Sequence, residues 1–321
     1  MTQPSAAAAQ LPDRNIYLSR LSPTPLTPVQ ILDGAPAIWC KLEFLNPSGS
    51  TKDRIARYIL EKAWREGRLR PGGTVIEASS GSTSIAMALA CAQLGLRFIA
   101  VMPEGVSNER VLMIRAYGGE IHLTPQAQGI LGALGETERM APALEAFLPR
   151  QFSNPDNANA HRQGTAREIL DQIPGRSVDA VVSGVGTGGT LVGLYQGLLD
   201  HGCPVRPFLA RPVNPIGLSG AFDVECTSFS SRIPGVVECV STIFQESALP
   251  GLVTIEVSDE EAICTARELI CRGFPVGPSS GLNYCAALIA ARQLPSDARV
   301  VTVFPDRMER YFTTDLFLPF R

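Results

Sequence analysis

The chain has 321 residues, 45% hydrophobic and 18% charged, with a formal net charge of −3. This composition excludes a disordered or fibrous protein, and the charge balance offers nothing to a nucleic acid or an anionic membrane. No apolar run reaches the ~18 residues that cross a bilayer, and the length exceeds what one hydrophobic core usually serves, so two domains or one large α/β unit is expected.

Met1 to Arg14 is rich in Ala, Gln and Pro, without an early positive charge or an apolar centre. It reads as a disordered lead-in and not as a secretory signal. Between residues 15 and 35, Pro23, Pro25 and Pro28 forbid regular helix. Ala37 to Leu45 has strand character and runs into Asn46-Pro47-Ser48-Gly49-Ser50-Thr51-Lys52-Asp53-Arg54, which opens a helix over Ile55 to about Arg65. Strands follow over 74–78, 97–102 and 120–123, alternating with helices over 83–94, 108–117 and 130–147. Gln151 to Pro155 reads as a strand end and turn, leading to a helix over 159–172.

The second half repeats the rhythm. Strands are expected over 178–183, 205–210, 253–257 and 299–304, with helices over 187–200 and 280–292. Ser258 with Glu261 forms a capping box for a further helix to Cys271. Residues 211–250 mix Ser, Pro and Gly and take no assignment. Strands spaced by helices of this length predict parallel, doubly wound sheets with sites at the strand C-termini. No period of 20–50 residues marks a solenoid.

The eight cysteines contain no C-x-x-C pair, and several lie in apolar runs, so they read as reduced cytosolic thiols. The scattered His122, His161 and His201 support neither a metal site nor a histidine triad.

Four loops carry the chemistry. Lys52 lies in a first helical turn, where unsatisfied N–H groups and the helix dipole disfavour a second positive charge. Such an amine loses its proton more easily, as a Schiff-base nucleophile must. Ser183 to Thr190 follows an apolar strand and precedes a helix, so the N–H groups of Gly186, Thr187, Gly188, Gly189 and Thr190 converge on an anion. Gly184, Gly186 and Gly189 also satisfy the G-x-G-x-x-G dinucleotide pattern. The acid that pattern requires is not at a second strand end, because Asp200 closes the first helix, and a single phosphate is preferred. Ser79-Ser80-Gly81-Ser82-Thr83-Ser84 offers hydroxyls and amides to a carboxylate, or ordinary helix capping. Gly277-Pro278-Ser279-Ser280-Gly281 poses the same alternatives, and the shared Ser-Ser-Gly is taken as shared capping chemistry.

Together these segments resemble the cysteine synthase / cystathionine β-synthase family of fold-type-II pyridoxal-phosphate enzymes. The resemblance also takes in Thr24-Pro25-Leu26, Gln151 through His161, and Pro305-Asp306-Arg307-Met308-Glu309-Arg310-Tyr311, covering about residues 20 to 317. It implies two doubly wound parallel-sheet domains of tryptophan synthase β-like architecture. Residues 1–50 with 156–321 would form the large cofactor-binding domain, and 51–155 a smaller mobile substrate-binding domain. Lys52 would join pyridoxal 5'-phosphate as an internal aldimine and act as general base. Ser82, residues 186–190 and Ser279 would complete the cofactor site, Ser279 facing the pyridine nitrogen. Ser79, Ser80, Gly81, Thr83, Gln151 and Gly235 would bind substrate. The implied activity is β-replacement on O-acetylserine or O-phosphoserine through an α-aminoacrylate, in a cytoplasmic homodimer without metal.

Ser82 stands where the family has Asn, Pro234-Gly235-Val236-Val237 replaces Gly-Ile-Gly, and Arg307-Met308 replaces Ser-Gly. These departures keep open β-elimination of the cysteine desulfhydrase or serine deaminase kind. They also keep open an amine nucleophile, as in siderophore diaminopropionate-precursor synthases. A nicotinamide-binding Rossmann oxidoreductase and a non-catalytic binding protein remain as readings from other classes.

Overall fold

The structure is a computed structural model describing residues 23–79, 81–213, 232–236 and 240–321. The N-terminal lead-in, Ser80, and much of the unassigned 211–250 stretch, with Cys226, Val237 and Cys239, lie outside the described residues. The chain divides into two compact units, one of Lys52–Gln151 and one of Pro23–Thr51 with Phe152–Arg321.

The smaller unit is a three-stranded parallel sheet, β3 (Thr74–Ala78), β4 (Arg97–Pro103) and β5 (Glu120–Thr124), paired in that order. α1 (Lys52–Arg65), α2 (Ser82–Leu94) and α3 (Asn108–Ala116) cover one face, burying Leu60, Trp64, Ile85, Leu89 and Ile114 against Val75, Phe98 and Ala100. α4 (Gly129–Met140) covers the other face through Ala133, against Ile76, Ile99 and Val101. Successive strand residues point to opposite faces, so this continuous apolar patterning requires helices on both sides.

The larger unit carries a six-stranded sheet in the order β1-β2-β9-β6-β7-β8. The strands are β1 (Leu26–Val29), β2 (Ile38–Lys41), β6 (Ala180–Gly184), β7 (Arg206–Val213), β8 (Val253–Ser258) and β9 (Val300–Val303). One face packs α6 (Ala166–Gln172) and α7 (Gly189–Asp200), with Ile169, Leu191 and Leu198 against Val181, Leu209 and Val301. The other face packs α8 (Asp259–Cys271) and α9 (Pro278–Ala291), with Leu269, Leu282 and Tyr284 against Val182, Phe208 and Ile38. The Ser258/Glu261 capping box is present in full.

Several expectations are corrected. The strand expected over 37–45 stops at Lys41 and turns through a 3-10 segment at Glu43–Leu45. There the Glu43 carboxylate is fully buried and accepts from Thr24 Oγ1 at 2.6 Å and Asn46 Nδ2 at 2.9 Å. The proline-rich start forms β1, which is antiparallel to β2 and breaks the all-parallel expectation. Proline fits that place because an edge strand need not donate on its outer side. The helix expected to reach residue 147 ends at Met140, since Pro142 has no N–H and disfavours helix in the residue before it. Residues 151–155 are turn without strand. The helix after them starts earlier, as α5 (Asp156–Ala160), and passes through a π turn at His161–Thr165 into α6.

Among the described residues no helix is long and apolar enough to cross a membrane, and no cluster of His, Cys, Asp or Glu could hold a metal. Six described cysteines are free thiols, and burial pushes those of Cys40 and Cys91 far up, leaving them protonated and inert.

Candidate active site

In the larger unit, β6 ends at Gly184 and the chain turns through Val185–Gly188 into the start of α7. The first N–H groups of a helix have no intrahelical acceptor, and the dipole there favours an anion. Gly188 has φ +81, and a Cβ on it would lie 2.5 Å from Phe244 Cβ. A Cβ on Gly186 would collide with the carbonyl of Gly235, and one on Gly189 with Asn157 Oδ1. Bare backbone is therefore required along this cradle, and Gly235 enters as its wall. Asn157 Nδ2 donates to Thr187 Oγ1 at 2.9 Å, and Ser241 Oγ donates to the Thr187 carbonyl at 2.5 Å. His161 Nε2 meets Thr190 Oγ1 at 3.3 Å while its Nδ1 meets Thr165 Oγ1 at 3.0 Å.

α9 starts beside this loop. Asn283 Oδ1 accepts from the Gly184 N–H at 2.7 Å, and its Nδ2 donates to the Val303 carbonyl at 2.8 Å. Ser279 is buried in the first turn of α9. Neither α9 nor α2 has a side-chain cap: their N-caps are Gly277 and Gly81, without a side-chain hydrogen bond. The shared-capping expectation for the two Ser-Ser-Gly loops is thus overturned. In the first loop Ser79 lies before the N-cap and accepts from the Gly81 N–H, whereas in the second Ser279 and Ser280 lie past the N-cap, where a side-chain oxygen no longer reaches the first-turn amides.

In the smaller unit, Lys52 is the first residue of α1. Ser79 follows β3, and its Oγ accepts from the Gly81 N–H at 3.2 Å. Its carbonyl accepts from Ser84 Oγ at 2.8 Å. Ser82 opens α2, and the next residue, Thr83, donates from Oγ1 to Gln151 Oε1 at 2.6 Å. Gln151 Nε2 donates to the Ala78 carbonyl at 2.8 Å, which fixes the orientation of the carboxamide. Behind this pair lies a residue the sequence reading did not single out. Glu77, 2% exposed, accepts from the N–H of Gln151 at 3.1 Å and of Ala78 at 2.9 Å. Burial pushes its carboxyl up to about 8, against the opposing pull of these amides and that of Arg150.

Of the residues singled out in the sequence, the larger unit brings together residues 186–190, Gly235 and, through Asn283, the start of α9 with Ser279. The smaller unit brings together Ser79, Gly81, Thr83 and Gln151, with Lys52 and Ser82 at helix starts. Asn157, His161, Ser241 and Asn283 were missed as supports of the cradle. Asn157 and His161 stood in the segment 151–161 already singled out, Ser241 and Asn283 outside any.

The residues 18–306 match the family model described as pyridoxal-phosphate dependent enzyme. The chain belongs to that family. Cysteine synthase B of Campylobacter jejuni is 39% identical over 282 residues, covering 87% of this chain and 91% of the relative. The crystal structure of O-ureido-L-serine synthase superposes with a TM-score of 0.83 at 34% identity, covering 95% and 96% of the two chains. A hydrogen sulfide-producing enzyme of Fusobacterium nucleatum gives 0.83 at 34%, covering 94% and 91%. Family membership removes the nicotinamide reading, and Asp200, the acid such a reading would need, is held by Arg162 at 2.5 and 2.9 Å.

The donor set fits the family's cofactor. Bare glycine backbone, two threonine hydroxyls and a helix start suit a phosphate dianion, and the buried Ser279 offers a neutral hydroxyl suited to a pyridine nitrogen.

Proposed function

We propose that this enzyme carries out β-replacement on an activated serine, O-acetylserine or O-phosphoserine, to make cysteine or a near analogue. The observation that carries the reading is the glycine cradle at the start of α7, whose side-chain-free backbone, Thr187 and Thr190 would hold the phosphate of pyridoxal 5'-phosphate. Lys52 Nζ would hold the aldehyde carbon, and Ser82 and Ser279 the ring. When bound, the cofactor supplies the electron sink for deprotonation at the substrate Cα.

The remaining work falls to side chains. Lys52 Nζ takes the Cα proton as general base. Ser279 is neutral, so it does not force a proton onto the ring nitrogen as an Asp would, and prompt loss of a β-substituent is favoured over transamination. The Ser79–Thr83 loop and Gln151 bind the substrate carboxylate. Thr83 donates to Gln151 Oε1 and Gln151 Nε2 donates to the Ala78 carbonyl, which together fix the carboxamide that would face that carboxylate. The smaller unit serves as the substrate domain, and the enzyme works as a cytoplasmic homodimer.

β-Elimination is the second reading, favoured by Ser82 at the position where the family has Asn. Both readings are tested by supplying O-acetylserine, O-phosphoserine or cysteine, with and without sulfide. Cysteine formation that depends on sulfide, and is absent in Lys52→Ala, is the expected result. Pyruvate released at one rate with or without sulfide would replace β-replacement by β-elimination.

A further inference from the structure

Arg310, in the 3-10 turn Met308–Tyr311, is the largest fully buried side chain among the described residues, at 1% exposure. Among the described residues no carboxylate pairs with it. Its Nη1 donates to the Gly49 carbonyl and its Nη2 to the Ser48 carbonyl, both at 2.6 Å, and its Nε is buried without a partner. Burying a cation without a counter-charge is unfavourable, and proteins retain such features where the group performs a task. The two carbonyls belong to the loop that ends one residue before Lys52.

The rest of the 305–310 segment holds the same loop. Thr51 N–H donates to the Pro305 carbonyl at 2.8 Å, Arg307 N–H to the Gly49 carbonyl at 3.0 Å, and Ser50 bridges Asp306 in antiparallel fashion. Gly49 sits at φ +81, and a Cβ there would lie 2.8 Å from Arg307 Cδ. We infer that Arg310 is a positioning residue for Lys52, its planar fork fixing two successive carbonyls so that the chain delivers the lysine at one angle to the cofactor aldehyde. A lysine in its place keeps the charge and loses the fork.

The inference rests on the proposed role of Lys52, and two probes separate them. Pyridoxamine 5'-phosphate tests the phosphate cradle alone, because it has no aldehyde. Pyridoxal 5'-phosphate tests the cradle and also the joining of Nζ to the aldehyde carbon, which releases one water. Apoenzyme of wild type, Arg310→Lys and Arg310→Met is titrated with each, following tryptophan fluorescence for binding and visible absorbance for the joined cofactor. Arg310→Lys is expected to bind pyridoxamine phosphate as wild type does, and pyridoxal phosphate about tenfold more weakly with slower growth of the visible band. Arg310→Met should show the same split, enlarged; if it does not fold, Arg310→Lys alone decides. Equal weakening of both probes would reduce Arg310 to a support of the fold, and no change in either would remove it from the site. Wild type that binds pyridoxamine phosphate but never develops the visible band would overturn the role of Lys52, and this inference with it.

Discussion

Glu77 makes the stability of the smaller unit depend on pH in the direction opposite to that of a paired carboxylate. Its carboxyl rises from the usual 4.5 to about 8, because burial in β3 outweighs the amides that favour its charge. Between those values the folded protein keeps a proton that the unfolded chain has released. The stabilisation is fully present below about 4.5 and is lost as pH rises through about 8. At ~1.36 kcal/mol per pH unit, the whole window corresponds to on the order of 5 kcal/mol. The assay uses a Trp39→Phe background, so that Trp64, buried in α1, reports the smaller unit alone. Urea unfolding is followed from pH 5 to 9 with Glu77 and with Glu77→Gln, which does not titrate. The difference between the two stabilities should fall with a slope approaching ~1.36 kcal/mol per unit up to pH 8 and then level off. Parallel curves would refute the argument. A difference that stays flat over this range, as a charged and paired Glu77 would give, has the same consequence.

Three further outcomes follow from the same contacts. Gly189→Ala puts a methyl group into Asn157 Oδ1, so fluorescence titration should show affinity for pyridoxal phosphate at least about a hundredfold weaker, with the fold retained by circular dichroism. Thr83→Val leaves Gln151 Oε1 buried without its 2.6 Å donor; a loss of about 1–2 kcal/mol should raise KM for the amino-acid substrate about tenfold, with cofactor absorbance unchanged. Ser82→Asn restores the longer family side chain at the start of α2, and the ratio of cysteine to pyruvate formed with sulfide present should rise.

Regular elements were legible because each has a local cause. β3 was placed at its true ends by a run of Thr, Val and Ile, and α8 by a capping box that acts within four residues. The misses are places where a distant partner decides. Nothing local in Ala37–Leu45 says that Glu43 will be buried under Thr24 and Asn46, so the strand appeared longer than it is. The π turn at His161 was equally hidden. A side chain on Gly193 of α7 would collide with the Ala158 carbonyl just before it, and that packing is set 35 residues along the chain.

The site followed the same division, with one instructive exception. Glycines and hydroxyls at helix starts could be seen, but their competing use as caps could not be settled, because capping and ligand binding demand the same residue types. Position within the turn separates them. A serine at the N-cap reaches the N2 or N3 amide, as Ser258 reaches Glu261; one at the first helical residues or beyond cannot. Ser82, Thr83, Ser279 and Ser280 all stand inside their helices behind a glycine N-cap. Their hydroxyls therefore do not cap the first-turn amides. Thr83 faces Gln151, while Ser280 Oγ is buried without a partner.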